Sequence, residues 1–295
     1  MKKKLIAGIL AAGMALGLAA CGGSASGSSS EASSSAASGS TAASTEGVSG
    51  AAASTSASST VSAGDMKLVE PGKLHMATNA SFPPYESTTD DGGFTGIDID
   101  IATKIASDLG LELVVDDMDF SSVITSVQSG KSDIAMAGMT VNEERQKNLD
   151  FTESYANSIQ SVIVSKDSDI KSIDDLKGKK IGCQEGTTGY IDASDTEENG
   201  GFGEENVTAY QDGATAVNAL MQGKVDAVII DNEPAKAYVA ANDGLTILDT
   251  NYDEEEYAIG IAKDNKALYD AVNSEIKKLK EDGTIKGIID KYIKE

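Results

Sequence analysis

A handful of side chains in this sequence could do chemistry on a small molecule. Arg145 stands alone among 23 lysines. A planar guanidinium is favoured where a carboxylate is gripped through two parallel hydrogen bonds. It follows an apolar strand pattern, in Gly138-Met139-Thr140-Val141-Asn142-Glu143-Glu144-Arg145; the alternative is a surface ion pair with Glu143 or Glu144. Asp231 ends the apolar run Ala227-Val228-Ile229-Ile230, where a partly desolvated carboxylate needs a cation. The alternative is an N-cap for a helix beginning near Pro234. If a ligand ammonium supplies that cation, Arg145 and Asp231 read the two ends of an α-amino acid. Phe82 and Phe120 each lie in a loop after a strand, in Ser81-Phe82-Pro83-Pro84-Tyr85 and Met118-Asp119-Phe120-Ser121. Facing rings would clamp a flat or aliphatic side chain; core packing at a lobe edge is the alternative. His75 is the only histidine and sits in a strand pattern, so no Ser-His-Asp or Cys-His pairing is expected. With two cysteines it cannot complete a four-ligand zinc site without carboxylates.

The elements that must position these residues alternate between strand-like and helix-like patterns, which argues an α/β fold. Strands are expected at Leu74–Thr78, Leu111–Val115 (a buried one), Ile134–Ala137, Ser161–Ser165, Lys180–Cys183, Ala227–Ile230 and Tyr257–Ala262. Helices are expected at Asp98–Leu109, Ser121–Ser129, Ala214–Met221, Pro234–Ala241, Lys266–Lys280 and Thr284–Tyr292. Thr140 and Glu143 carry a capping-box spacing for a further short helix. Asp98 and Asp100 open a helix, where acids complement the dipole. Asp253-Glu254-Glu255-Glu256 reads as a solvated loop, and Cys183 as a buried strand residue. The pattern also restarts. Val127 to Met136 matches Leu220 to Ile229, each a helix stopped by Gly-Lys and followed by Asp and a buried strand. In both the Gly would take the left-handed C-cap position. Two similar lobes follow, each around a parallel sheet. Ligands of open α/β sheets bind beyond the carboxyl ends of the strands. Loops starting at Asn79, Gly138, Gln184 and Asp231 leave such ends, two from each lobe, and converge on one cleft if the lobes face each other.

The chain has 295 residues and a formal net charge of −23, a poor match for nucleic acid, whose phosphates are bound by Lys and Arg. Lys2 to Lys4 precede a short apolar run from Leu5 to Leu18, the pattern of a signal peptide over residues 1–20. Residues 21–64 are almost only Ser, Ala, Gly and Thr after Cys21, a composition that cannot offset its ordering entropy. They are expected to form a flexible tether reaching about 35 Å. Taking three n-region lysines and two linker glutamates off the total leaves residues 65–295 at −24. Cys183 then has no partner but Cys21, so a disulfide framework is excluded.

Beyond these readings the sequence resembles a known family. Ala77 to Glu86, Gly96-Ile97-Asp98-Ile99-Asp100, Met118-Asp119-Phe120, Ala137 to Thr140, Glu144-Arg145, Asp150-Phe151-Thr152, Leu176 to Lys179 and Gly186 to Gly189 resemble the polar amino-acid substrate-binding proteins of ABC importers. The likeness is collinear over about 67–295. Leu18-Ala19-Ala20-Cys21-Gly22 resembles the lipobox of bacterial lipoproteins, which implies lipid on Cys21 as the mature N-terminus. The implied fold is periplasmic-binding-protein-like, two α/β lobes joined by a two-segment hinge near Tyr155–Ile159 and Asp253–Tyr257. Lobe one would be 67–156 and 257–295, and lobe two 157–256.

By the same resemblance Arg145 pairs with the ligand α-carboxylate and Asp231 with its ammonium. Gly138, Met139 and Thr140 contribute backbone and hydroxyl contacts, Thr187 and Thr188 the second lobe's contacts to the carboxylate, and Phe82 and Phe120 the aromatic clamp. Asn79 and Gln184 stand where some members carry charged residues, which suggests a polar, uncharged ligand side chain; Glu185 would favour a cationic one if it pointed inward. The implied activity is capture of a free L-amino acid by hinge closure and delivery to a membrane permease driven by an ATPase. The resemblance implies a monomer held at the outer face of the cell membrane, with no catalytic residue, metal or cofactor. The rival reading is an enzyme on this fold, a dehydratase-like lyase acting on a small carboxylate.

Overall fold

A computed structural model describes residues 66–249 and 254–294. Cys21, the signal-peptide pattern and the linker lie outside them, as does Asp253. The first part of the chain builds one mixed sheet. Strand β1 (Lys73–Thr78) leads to a small antiparallel sheet, β2 (Ser81–Phe82), β3 (Glu86–Thr88) and β4 (Phe94–Thr95), then to helix α1 (Ile97–Asp108) and β5 (Glu112–Asp117). Helix α2 (Phe120–Gln128), β6 (Ile134–Ala135), α3 (Glu143–Asn148) and β7 (Leu149–Phe151) follow. The long strand β8 (Ala156–Ser165) then carries the chain across to a second sheet. There come β9 (Ile181–Gln184), α4 (Thr188–Ser194), β10 (Val207–Tyr210), α5 (Gly213–Met221), β11 (Ala227–Asp231), α6 (Asn232–Ala241) and β12 (Leu245–Ile247). Strand β13 (Glu254–Tyr257) brings the chain back to β14 (Gly260–Ala262), and α7 (Lys266–Glu281) and α8 (Thr284–Tyr292) close it.

The sheet orders are β5-β1-β6-β14-β7 and β10-β9-β11-β8-β12. Neither sheet is purely parallel, as was expected of both. In the first, β1 runs parallel to β5 and β6, but β14 enters antiparallel to β6 and β7. In the second, β9 is parallel to β10 and β11 while β8 is antiparallel to β11 and β12. The antiparallel members are the strands next to the crossings: a chain that leaves one sheet and returns from the other must enter each in the reverse sense. Residues 156–159 of β8 pair with β13, and residues 160–165 with β11 and β12. The crossing is therefore two antiparallel strands side by side.

Three other expectations change. The predicted strand Tyr257–Ala262 is two strands broken at Ala258–Ile259, both buried. Strand β5 is a half-buried edge strand, not a buried one. Strand β8 begins at Ala156 rather than Ser161, because Asn157, Ser158 and Gln160 hide its apolar alternation. The repeated motif is realised in both halves. Gly130 and Gly223 each have φ +68° at a helix end, a conformation that favours glycine. The aspartate that follows ties down a neighbouring strand: Asp133 accepts from the His75 N–H and Asp226 from the Lys180 N–H. The apolar face of α1 and residues of β1 and β6 form the first core with α7, while Ile181, Cys183, Ala227 and Ile229 belong to a core of the second half.

Candidate functional site

Six of the candidate residues sit at the carboxyl end of a parallel strand or a few residues beyond it. Asn79 follows β1, Phe120 opens α2 after β5, and Gly138 and Thr140 follow β6. Gln184 ends β9 and Asp231 ends β11. Together with Phe82, Glu86, Ala137, Arg145, Thr187 and Thr188 they line one small cleft between the two sheets. Ten of the eleven ligand-binding residues expected from the sequence meet there. The exception is Met139, which is fully buried among Val123, Val127 and Leu149 on the other side of its strand end. Gly138 and Thr140 line the cleft while the Met139 side chain joins the core.

Arg145 is buried, and its guanidinium spans the cleft. Nη1 donates to the Thr140 carbonyl at 2.7 Å and Nη2 to the Gly186 carbonyl of the second half at 3.1 Å. It lies over the Phe120 ring, 5.4 Å from the centroid. Burial pulls its pKa down, and Glu255, Asp231 and Tyr257 pull it back up. The surface ion pair with Glu143 or Glu144 is not made; Glu144 pairs with Lys147 instead. The capping box at Thr140 is not formed either. Asn142 caps α3, accepting from the Arg145 N–H at 2.8 Å, and this leaves the Thr140 side chain for another partner.

Asp231 occupies the N-cap position of α6 yet makes no side-chain cap. Its Oδ1 accepts from the Tyr257 hydroxyl at 2.6 Å. Burial, then the nearby Glu255 carboxylate, push its pKa up to about 7, against the Tyr257 hydrogen bond. A buried acid so raised is short of a cation. At the other end Gln184 Nε2 donates to Asn79 Oδ1 at 2.8 Å, and Asn79 Nδ2 donates to the Met118 carbonyl at 2.9 Å. Further links between the halves run from the Tyr238 hydroxyl to the Ser81 carbonyl, 2.8 Å, and from Gln211 to Asp119. Glu185 is exposed and does not line the cleft. Phe82 stacks on Tyr85 with centroids 5.8 Å apart, and a Cβ on Gly138 would stand 2.7 Å from its ring. Gly138, at φ +52°, is the residue that lets backbone and ring approach.

Sequence reasoning missed three acids and an amide. Glu86 lines the cleft and is fully buried; burial and then the Asp98 carboxyl, with which it shares a side-chain hydrogen bond, raise its pKa. Asp98 lies in the first turn of α1, as expected, but is fully buried and does more than complement the dipole. Its Oδ2 accepts from the Gly138 N–H at 2.9 Å and the Tyr155 hydroxyl at 2.8 Å, and burial raises it to about 6. Glu255 is not in a solvated loop: it is a buried residue of β13, with Oε2 accepting from Thr140 Oγ1 at 2.6 Å and Oε1 from Gln160 Nε2 at 3.2 Å. Burial alternates within Glu254–Tyr257, but three like acids in a row carry no such alternation in the sequence. Cys183 is the buried strand residue expected, with its thiol pushed up to about 12 by burial.

Two mixed α/β lobes facing each other across a small polar cleft, with a buried guanidinium and a raised carboxylate in its wall, define a solute receptor of the periplasmic-binding-protein-like kind. The chain belongs to the bacterial extracellular solute-binding proteins, family 3, matched over residues 74–295. That is a family of solute-binding proteins rather than enzymes, which removes the lyase alternative. The arginine-binding extracellular protein ArtP of Bacillus subtilis is 33% identical over 75% of this chain and 86% of its own length. The glutamine-binding protein GlnH of the same organism is 34% identical over 69% and 74%. Among solved structures, an ancestral arginine-binding protein bound to glutamine superposes with a TM-score of 0.71 at 38% identity, covering 77% of this chain and 100% of that one.

Proposed function

We propose that this protein is the amino-acid receptor of an ABC importer, held at the outer face of the cell membrane by lipid on Cys21 and tethered by residues 21–64. The observation that carries the reading is the pairing of Arg145 and Asp231 in one cleft wall, each buried and each electrostatically in need of an opposite charge. A zwitterion satisfies both: its carboxylate joins the guanidinium and its ammonium the Asp231 carboxyl. Gly138, Thr140, Thr187 and Thr188 complete the polar shell, and Phe82 and Phe120 flank the ligand side chain. The names of the arginine- and glutamine-binding relatives support an amino acid as the ligand class.

Residues 67–156 and 257–295 form one lobe and 157–256 the other, with β8 and β13 as the hinge. An open form binds the ligand on one lobe and bending lets the other complete the shell. The closed form presents both lobe tips to the permease. For the ligand side chain, the uncharged Asn79–Gln184 pair at the far end favours a neutral polar group. A cationic side chain is the second reading, supported by the name of the arginine-binding relative. A thermal-shift screen of the purified protein, refolded to strip carried-over ligand, against all common L-amino acids plus ornithine, citrulline and cystine tests this. A ligand at 100 times its Kd should add about 2.7 kcal/mol of stability. Silence across the panel would overturn the amino-acid reading.

A further inference from the structure

Resting on the amino-acid reading, a sharper question is how the cleft tells an ammonium from a carboxylate when hydroxyls of both lobes face it. A threonine hydroxyl has one proton to donate and lone pairs to accept with, and turns to suit its partners. What lies behind each hydroxyl therefore decides what it can offer in front. Behind Thr140, Glu255 Oε2 stands 2.6 Å from Oγ1 and takes its proton, so lone pairs are what remain for the cleft. Behind Thr188, Gln160 Nε2 donates to Oγ1 at 3.3 Å; the Thr188 proton has no acceptor among the described residues and is available to a ligand. Thr187 offers neither in the same way, since it donates to the Gln184 carbonyl at 2.8 Å and accepts from the Tyr190 N–H.

The two threonines are linked through one side chain. The amide nitrogen of Gln160 faces both Glu255 Oε1 and Thr188 Oγ1, at 3.2 and 3.3 Å. This orientation leaves Gln160 Oε1 buried with no partner, a costly arrangement. Turning the amide over would set Oε1 against the Glu255 carboxylate and against Asp231, to which Gln160 also hydrogen-bonds, so these two acids fix it, Glu255 at 3.2 Å. Both members come from the crossing strands, Gln160 from β8 and Glu255 from β13, so the relay runs between the two lobes.

We propose that Glu255, acting through Gln160, is a positioning residue that sets opposite hydrogen-bonding polarity at Thr140 and Thr188, making Thr140 an acceptor for the ligand ammonium and Thr188 a donor to its carboxylate. Exchanging Glu255 for glutamine keeps the shape but allows an NH2 to face Thr140, which then accepts from behind and turns its proton towards the cleft. The α-ammonium loses an acceptor, while the amide oxygen left at the Oε1 position still accepts from Gln160 Nε2, so Thr188 keeps its donor role towards the carboxylate.

The test is calorimetric titration of wild type and Glu255→Gln with L-arginine and L-glutamine, each beside the analogue lacking the amino group, 5-guanidinopentanoate and 4-carbamoylbutanoate. For whichever amino acid binds the wild type, the variant is expected to bind it at least about tenfold more weakly, the scale of one hydrogen bond to a charged group. The analogue should change by less than about twofold. Thr140→Val should reproduce this selective loss by itself, and adding Glu255→Gln to it should cost nothing further; this arm holds if Glu255→Gln alone proves unstable. Equal weakening of amino acid and analogue, or no change in either, would overturn the relay and leave Glu255 a packing residue of the crossing strands. A wild type that binds neither amino acid nor any other of the screened panel would overturn the receptor reading itself.

Discussion

Asp231 is pulled two ways, by burial towards the neutral acid and by a ligand ammonium towards the carboxylate. Without ligand its pKa lies at about 7 and that of Asp98 at about 6, both above the ordinary 3.8. The folded chain therefore holds more protons than the unfolded one from about pH 4 to 7. The stability these groups contribute is complete below pH 4 and is lost as pH rises through their folded values. Asp231→Asn, neutral at every pH, is expected to melt above the wild type at pH 8 by an amount worth about 1–3 kcal/mol, the gap closing towards pH 4 in a series of melting curves. The same variant should no longer bind an amino acid. Binding to the wild type at pH 7 should release part of a proton, seen as an enthalpy that varies with the ionisation heat of the buffer. Arg145→Ala is expected to weaken binding by about 2–5 kcal/mol in titration calorimetry with little change in melting temperature, since in the free protein it donates only to two backbone carbonyls. Arg145 and Asp231 were legible in the sequence because their types are unusual for their settings. Glu86, Asp98 and Glu255 were not, because in an acidic chain nothing marks the few acids that end up buried.

At the scale of elements, the repeated helix–Gly-Lys–Asp–strand unit makes a paired prediction. Gly130 and Gly223 share φ +68°, and an added Cβ meets nothing within 4 Å at either. Alanine there should cost only the conformational penalty, about 1–2 kcal/mol at each position. Urea melts should find equal losses with an unchanged m-value if the two units are equivalent. Gly138→Ala differs: its Cβ would stand 2.7 Å from Phe82, so ligand affinity should fall along with stability. The strands read best from sequence were the apolar ones, β1, β9 and β11. Strand β8 was read short and β13 as part of a loop. Both carry polar residues that are buried by pairing with each other, and a period-2 apolar pattern cannot reveal a strand whose inward side chains are Ser158, Gln160 and Glu255.

For the whole molecule, the surplus of 24 negative charges in residues 65–295 bears on encounter rather than on fold. Association of L-arginine should slow as ionic strength rises, while that of L-glutamine should stay level, in stopped-flow measurements. Chain-local signals determined the alternation of strands and helices, the restart of the pattern, and the strand-end loops that carry the site. They fixed the class of protein because each depends on neighbours a few residues apart: a glycine at a helix stop, an acid after it, an arginine after a strand. The tertiary structure alone decided that the sheets are mixed, that Met139 turns into the core and Glu185 out to solvent. It also decided that Thr140 answers to Glu255, 115 residues away. Those are outcomes of which chain segments cross, and a hydroxyl's proton goes to whatever carboxylate the crossing brings within reach.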